Sequence, residues 1–137
     1  MEFKIEKRLP TVHEYNDLRQ SAGWPTYEES LAAKGIANSL FSICVMKADR
    51  FIGFGRVIGD GAIYLHIQDV IVHPEYQKNG LGKMIMKELL TYVDLVAGKN
   101  TNIGLMCSKG REKFYADLGF VARPNDKFGA GMICIKN

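Results

Sequence analysis

Val70-Ile71-Val72-His73-Pro74-Glu75-Tyr76-Gln77-Lys78-Asn79-Gly80-Leu81-Gly82 decides the fold. It reads as an apolar strand stopped at His73-Pro74, because proline disfavours a regular strand, followed by a polar loop carrying two glycines. Beyond it Leu81, Ile85, Leu89, Tyr92, Val93 and Val96 recur at helical spacing, which predicts a helix over 81–97 with Gly98 as its stop. A strand, a Gly-rich loop and a helix start together make an anion site. The first-turn N–H groups lack intrahelical partners, and the dipole adds about half a positive charge. Gly80 and Gly82 carry no side chain to hold an anion away from that backbone, and Lys78 and Lys83 add charge around it. The Walker A pattern fails, because Gln77 and Met84 stand where Gly and Ser or Thr are required. The dinucleotide fingerprint fails at Ile85, where it needs a third Gly. The plain alternative is a tight turn opening a helix.

Upstream, Ile63, Leu65 and Ile67 put apolar side chains on one face of a strand predicted over 62–72. The series then meets Asp69, and Val70 and Val72 carry the apolar character in the opposite phase. A one-residue slip flips every side chain, so a β-bulge near 68–70 repairs the pattern, a feature common beside active sites. The alternative is a strand buried on both faces that tolerates one Asp. Before it, 41–46 and 51–58 read as a hairpin closed by Lys47-Ala48-Asp49-Arg50. A strand over 3–6 comes first, then a helix over 11–21 with Thr11 and Glu14 as a capping box, and a second helix over 26–35 with Thr26 and Glu29 spaced likewise. After the long helix come a strand over 103–106, a helix over 111–118 closed by Gly119-Phe120, and strands over 120–122 and 131–135. The class is α+β, with sheet and helices mixed.

The 137 residues fit one domain, 1–137, with 47% hydrophobic and 24% charged residues, the balance of a globular protein. Lys and Arg number 18 against 15 Asp and Glu, interleaved almost throughout apart from Lys78, Lys83 and Lys87, which argues against nucleic-acid binding. No stretch approaches the roughly 20 apolar residues of a membrane span, and Met1-Glu2-Phe3-Lys4-Ile5-Glu6 holds no apolar signal region, so a cytoplasmic setting is expected. Cys44, Cys107 and Cys134 are far apart, each in an apolar run, and are expected to be buried thiols in a reducing interior, with no metal site.

Gln77-Lys78-Asn79-Gly80-Leu81-Gly82 resembles the Q-x-x-G-x-G/A signature of GNAT N-acetyltransferases, and 70–76 resembles the strand and V-x-P element that precede it. Phe114-Tyr115-Ala116-Asp117-Leu118-Gly119-Phe120 is similar to that family's F/L-Y-x-x-x-G-F helix end. The resemblance is specific over 41–120. Ser21-Ala22-Gly23-Trp24 and the ending from Pro124 to Met132 look similar to a compact bacterial branch. It implies a GNAT acyl-CoA fold: a mostly antiparallel central sheet with a splayed strand and about four helices. It implies acetyl-CoA as co-substrate and a homodimer as the common assembly. The backbone of Val70, Ile71 and Val72 would pair with the pantetheine arm, and N–H groups from Gln77, Lys78, Asn79, Gly80, Leu81, Gly82 and Lys83 would hold the diphosphate. Tyr115 would be the general acid, and Ser108 stands where many relatives carry an Asn that contacts the cofactor arm. Trp24, Tyr27 and Glu28 would form one wall of the acceptor site, with simple core packing as the other reading of Trp24.

The implied chemistry has two proton problems. An alkyl amine of pKa about 10 is only ~0.1% neutral at pH 7, so a base must take its proton. The leaving thiolate gains from a donor, which a tyrosine supplies, and the tetrahedral oxygen needs a preorganised N–H such as that of Ile71 or Val72. Asp69 is the expected base, acting through water, unless it serves instead to hold the bulge. His66 is its rival. The expected acceptor is a small-molecule primary amine, attacking directly in a ternary complex. A protein or peptide amine, and a non-catalytic acyl-CoA sensor, are the alternatives.

Overall fold

The computed structural model describes residues 2–137. Contacts divide the chain into two compact units, one ending at Gly104 and the other Leu105–Asn137. The first contains β1 (Lys4–Glu6), α1 (Val12–Ser21), α2 (Glu29–Ala37), β2 (Phe41–Lys47), β3 (Arg50–Gly59), β4 (Tyr64–Val72), α3 (Leu81–Val96) and β5 (Asn102–Gly104). The sheet runs β1-β2-β3-β4-β5, antiparallel except for the parallel β4–β5 pair. Among the described residues no helix is long and apolar enough to cross a membrane.

Local chemistry explains the element boundaries. The capping box of α1 forms: the Thr11 hydroxyl accepts from the Glu14 N–H at 3.0 Å, and the Thr11 N–H donates to the Glu14 carboxylate at 2.9 Å. The second helix begins three residues later than the sequence suggests. Asn16 clamps Tyr27 by its carbonyl at 2.9 Å and its N–H at 3.1 Å, and the cap passes from Thr26 to Glu28. The Glu28 carboxylate accepts from the N–H groups of Ser30 and Leu31.

Alternate residues of β3 serve opposite layers. Phe54 faces α1 and α2, meeting Tyr15 edge-on at 5.8 Å within a cluster of Leu18, Ala32, Ile36, Cys44 and Ile71. Gly55 faces α3. A Cβ there would lie 2.6 Å from a methyl of Ile85 and 3.0 Å from one of Leu89, so the missing side chain lets α3 seat against the sheet.

The bulge occurs at Asp69, whose φ is 58°. Phe54 is opposite Ile71 and Arg56 opposite Gln68, so Gly55 alone faces Asp69 and Val70. Gln68 shares the α1 face with its partner Arg56, Asp69 bonds to α1, and Val70 turns toward Gly55 and the α3 side. The phase slip in the sequence is thereby resolved.

In the second unit, α4 (Glu112–Ala116) is shorter than expected and closes in a Schellman turn. Gly119 has φ 98°, its N–H reaches the Ala116 carbonyl at 3.0 Å, and the Phe120 N–H reaches the Tyr115 carbonyl at 3.1 Å. The strand expected over 103–106 is Asn102–Gly104, and no strand forms over 120–122 or 131–135. A strand needs a neighbour to take its backbone bonds, and Leu105–Asn137 contains none. The cysteines also differ from expectation. Cys44 is buried, its thiol pushed up to about 12 by burial, but Cys107 is half-buried and Cys134 exposed.

Candidate functional site

β4 and β5 pair only at Tyr64–Asn102, Leu65–Ile103 and His66–Gly104. From Ile67 to Val72, β4 pairs with β3 alone, so one edge of its backbone carries N–H and C=O groups free of any strand. Such an edge takes an extended partner through main-chain bonds. It contains the expected pantetheine residues Val70, Ile71 and Val72.

The edge runs straight into the loop. A short 3₁₀ turn over Pro74–Tyr76 is capped by His73, whose Nδ1 accepts from the Glu75 N–H at 3.2 Å. Gln77 donates from its side chain to the Val72 carbonyl at 3.1 Å, and Asn79 to the carbonyls of Tyr76 and Gln77 at 2.9 and 3.2 Å. These side chains shape the loop, and the Gln77 N–H donates to the Pro74 carbonyl at 3.4 Å. Lys78 at φ 66° and Gly80 at φ 76° are left-handed, a reversal that makes a concavity of N–H groups suited to an anion. The first helical bond of α3 runs from Met84 to Gly80, so the N–H groups of Leu81, Gly82 and Lys83 remain for a ligand. The first turn of α3 holds no acidic residue and Gly80 provides no side-chain cap, although a carboxylate there is the usual stabiliser. Leu81 is buried and anchors the loop, while Gln77 to Gly80 and Lys83 are exposed. These residues fit a diphosphate.

Asp69 takes the second of its two readings. Its carboxylate accepts from the Tyr15 hydroxyl at 2.7 Å, Arg19 Nη1 at 2.9 Å and Arg56 Nε at 2.9 Å, with the side chain 1% exposed. Both oxygens are occupied by strong donors, which tie the bulge to α1 and β3. Burial and the Asp69 charge push the Tyr15 hydroxyl well above its ordinary range. Arg19, Arg56 and Tyr15 escaped the sequence reading. The available signals were an arginine four residues after Tyr15 on the apolar side of α1 and an arginine inside the otherwise apolar strand 51–58.

His66 sits in the last register pair before β4 and β5 part, its Nδ1 3.6 Å from where a Cβ on Gly104 would stand. Burial lowers its pKa, so the ring is neutral near pH 7 and able to accept a proton. Around Arg19, the rings of Tyr15, Trp24 and Tyr27 lie 5.6, 5.4 and 4.7 Å from its guanidinium carbon. Trp24 packs on the α1–α2 core, Tyr27 is exposed, and Glu28 is committed to capping α2.

In the second unit, Tyr115 is half-buried between Phe114 and Phe120, with ring centroids at 4.9 and 6.2 Å. Burial raises its pKa, which keeps the phenol protonated. The Ser108 carbonyl accepts from the Arg111 N–H at 3.0 Å, opening α4.

A family model for the acetyltransferase (GNAT) domain matches residues 16–136. An uncharacterised ycf52-like N-acetyltransferase of Prochlorococcus marinus is 37% identical over 81% of this chain and 63% of its own. A histone acetyltransferase of Glycine max is 33% identical over 82% of this chain and 53% of its own. The chain thus spans less than two thirds of the length of these relatives. A crystal structure of a probable acetyltransferase of unknown function from meticillin-resistant Staphylococcus aureus is 32% identical, covering 99% of this chain and 100% of that one at a TM-score of 0.91. With the splayed β4 edge and the loop built as its signature suggests, the chain belongs to the GNAT acetyltransferase family.

Proposed function

We propose that this protein transfers the acetyl group of acetyl-CoA to a primary amine of a small molecule, by direct attack within a ternary complex. The observation that carries the reading is the free edge of β4 from Ile67 to Val72, followed through the loop over 73–80 by the uncapped start of α3. The edge suits the amide-bearing pantetheine arm, and the loop N–H groups from Lys78 to Lys83 suit the diphosphate.

His66 takes the proton of the incoming ammonium, and the neutral amine then attacks the thioester carbonyl. The N–H of Ile71 or Val72 holds the resulting oxyanion. As the carbon–sulfur bond breaks, Tyr115, protonated at neutral pH, donates its proton to the leaving thiolate, and the tetrahedral nitrogen gives up its second proton to the phenolate as the amide forms. The free cysteines fit a reducing compartment, in keeping with a cytoplasmic setting.

A protein amine is the second reading, favoured by the similarity to the soybean histone acetyltransferase. Release of CoA thiol across a panel of small amines and of lysine-bearing peptides tests both. Turnover with small amines supports the proposal, turnover with peptides alone supports the second reading, and tight acetyl-CoA binding without turnover on any acceptor identifies a sensor.

A further inference from the structure

Two guanidinium groups share one carboxylate at the bulge. Arg19 and Arg56 each bind Asp69, and neither makes another salt bridge among the described residues. Their side chains are only 8% and 13% exposed. Tyr15, the third donor to that carboxylate, keeps its proton, because burial and the Asp69 charge both raise its pKa. The cluster therefore carries one net positive charge, largely withdrawn from water, where an uncompensated charge is costly. A guanidinium offers five N–H donors in a rigid plane. Arg19 spends Nε on the Pro25 carbonyl and Nη1 on Asp69. Arg56 spends Nε on Asp69, and Nη1 on the Gly35 carbonyl and the Ser39 hydroxyl. Nη2 of each has no partner among the described residues. Among those residues only the Ser42 hydroxyl is sealed from solvent without a partner, so both Nη2 groups remain reachable. One net charge and two free donors complement an oxyanion.

Strand register sets this charge beside His66, the group that takes the acceptor's proton in the proposed reaction. Arg56 is paired with Gln68 and Ile58 with His66, so Arg56 and His66 are diagonal neighbours on one face of the sheet. Diagonal neighbours lie about 7–8 Å apart, a span that one small molecule bridges. His66 and Gln68 are both half-buried, so that face is not closed over.

Resting on the acetyl transfer proposed above, we infer that the acceptor is an amine that also bears an oxyanion, a carboxylate or a phosphate a short carbon chain away, held by the free Nη2 donors of Arg19 and Arg56. Matched amines test it: β-alanine against propylamine, and phosphoethanolamine against ethanolamine, read as kcat/KM for CoA thiol release. At least one acid is expected to exceed its uncharged counterpart by about tenfold or more, the scale of hydrogen bonds to charged groups, and the larger ratio tells carboxylate from phosphate. Arg56→Lys keeps a positive charge for Asp69 but removes the second nitrogen, and is expected to erase most of that preference with circular dichroism retained. Trp24 is the only tryptophan in the chain, and its ring lies 5.4 Å from the Arg19 guanidinium carbon, so its fluorescence reports the site without turnover. Propionate or inorganic phosphate is expected to shift that emission saturably, and propylamine to leave it unchanged. Uncharged amines used as well as both acids, a preference unchanged in Arg56→Lys, or an emission indifferent to both anions overturns the inference. Turnover of no amine, with a saturable response to either anion, overturns the acetyl-transfer reading and upholds the oxyanion site.

Discussion

Arg19 on α1 and Asp69 at the bulge of β4, 50 positions apart in sequence, form a buried ion pair with Nη1 2.9 Å from Oδ1. Arg56 reaches the other oxygen from β3, so one carboxylate ties helix, bulge and neighbouring strand together beside the open edge. Removing one partner of a buried pair leaves an uncompensated charge, which costs about 3–5 kcal/mol. Asp69→Ala is expected to lose that much unfolding free energy in urea titration. A role as base would instead give a variant of unchanged stability and abolished turnover.

His66 gives a pH signature with a definite sign. Burial lowers its pKa below the ordinary 6.5, so the unfolded chain binds this proton more readily than the folded one. Stability is complete above that range, declines as pH falls through 6.5, and levels off below the folded value. The same titration is expected to give kcat/KM an acidic limb with an apparent pKa below 6.5, absent in His66→Gln. A limb unchanged in the variant assigns the proton elsewhere.

Gly55 is a packing requirement. A methyl there meets Ile85 at 2.6 Å and Leu89 at 3.0 Å, both side chains fully buried. Gly55→Ala is expected to destabilise by about 1–3 kcal/mol through overpacking, read as a lower midpoint in thermal unfolding. Gly129→Ala, with nothing within 4 Å, is expected to change little.

Tyr115→Phe removes a proton donor and keeps the ring that packs between Phe114 and Phe120. Turnover is expected to fall at least tenfold with acetyl-CoA affinity unchanged, consistent with the 10²–10⁴-fold typical of general acids. Equal loss of affinity would mark a structural residue.

The parts legible in the sequence were those governed by local rules. The capping box at Thr11 and Glu14, the Schellman close at Gly119 and the bulge at Asp69 each rest on a few neighbouring residues, and each formed. What escaped depends on distant partners. Nothing near Asp69 announces Arg19, and nothing near Thr26 announces that Asn16 will clamp Tyr27 and delay α2. The terminal strand pattern was visible too, yet a strand forms only where a second strand receives it, and the apolar setting of Cys134 likewise did not bury it.

Calorimetric titration with CoA of the wild type and of Gly80→Val tests the diphosphate loop most directly. Gly80 has φ 76° and open space around its missing Cβ, so a Cβ there meets no neighbour within 4 Å, but a β-branched residue disfavours the left-handed turn of the loop, at a cost of about 1–2 kcal/mol. The account predicts that the wild type binds CoA, more weakly as salt rises, and that Gly80→Val binds at least tenfold less tightly. No binding by the wild type at millimolar CoA, or equal binding by the variant, would contradict it.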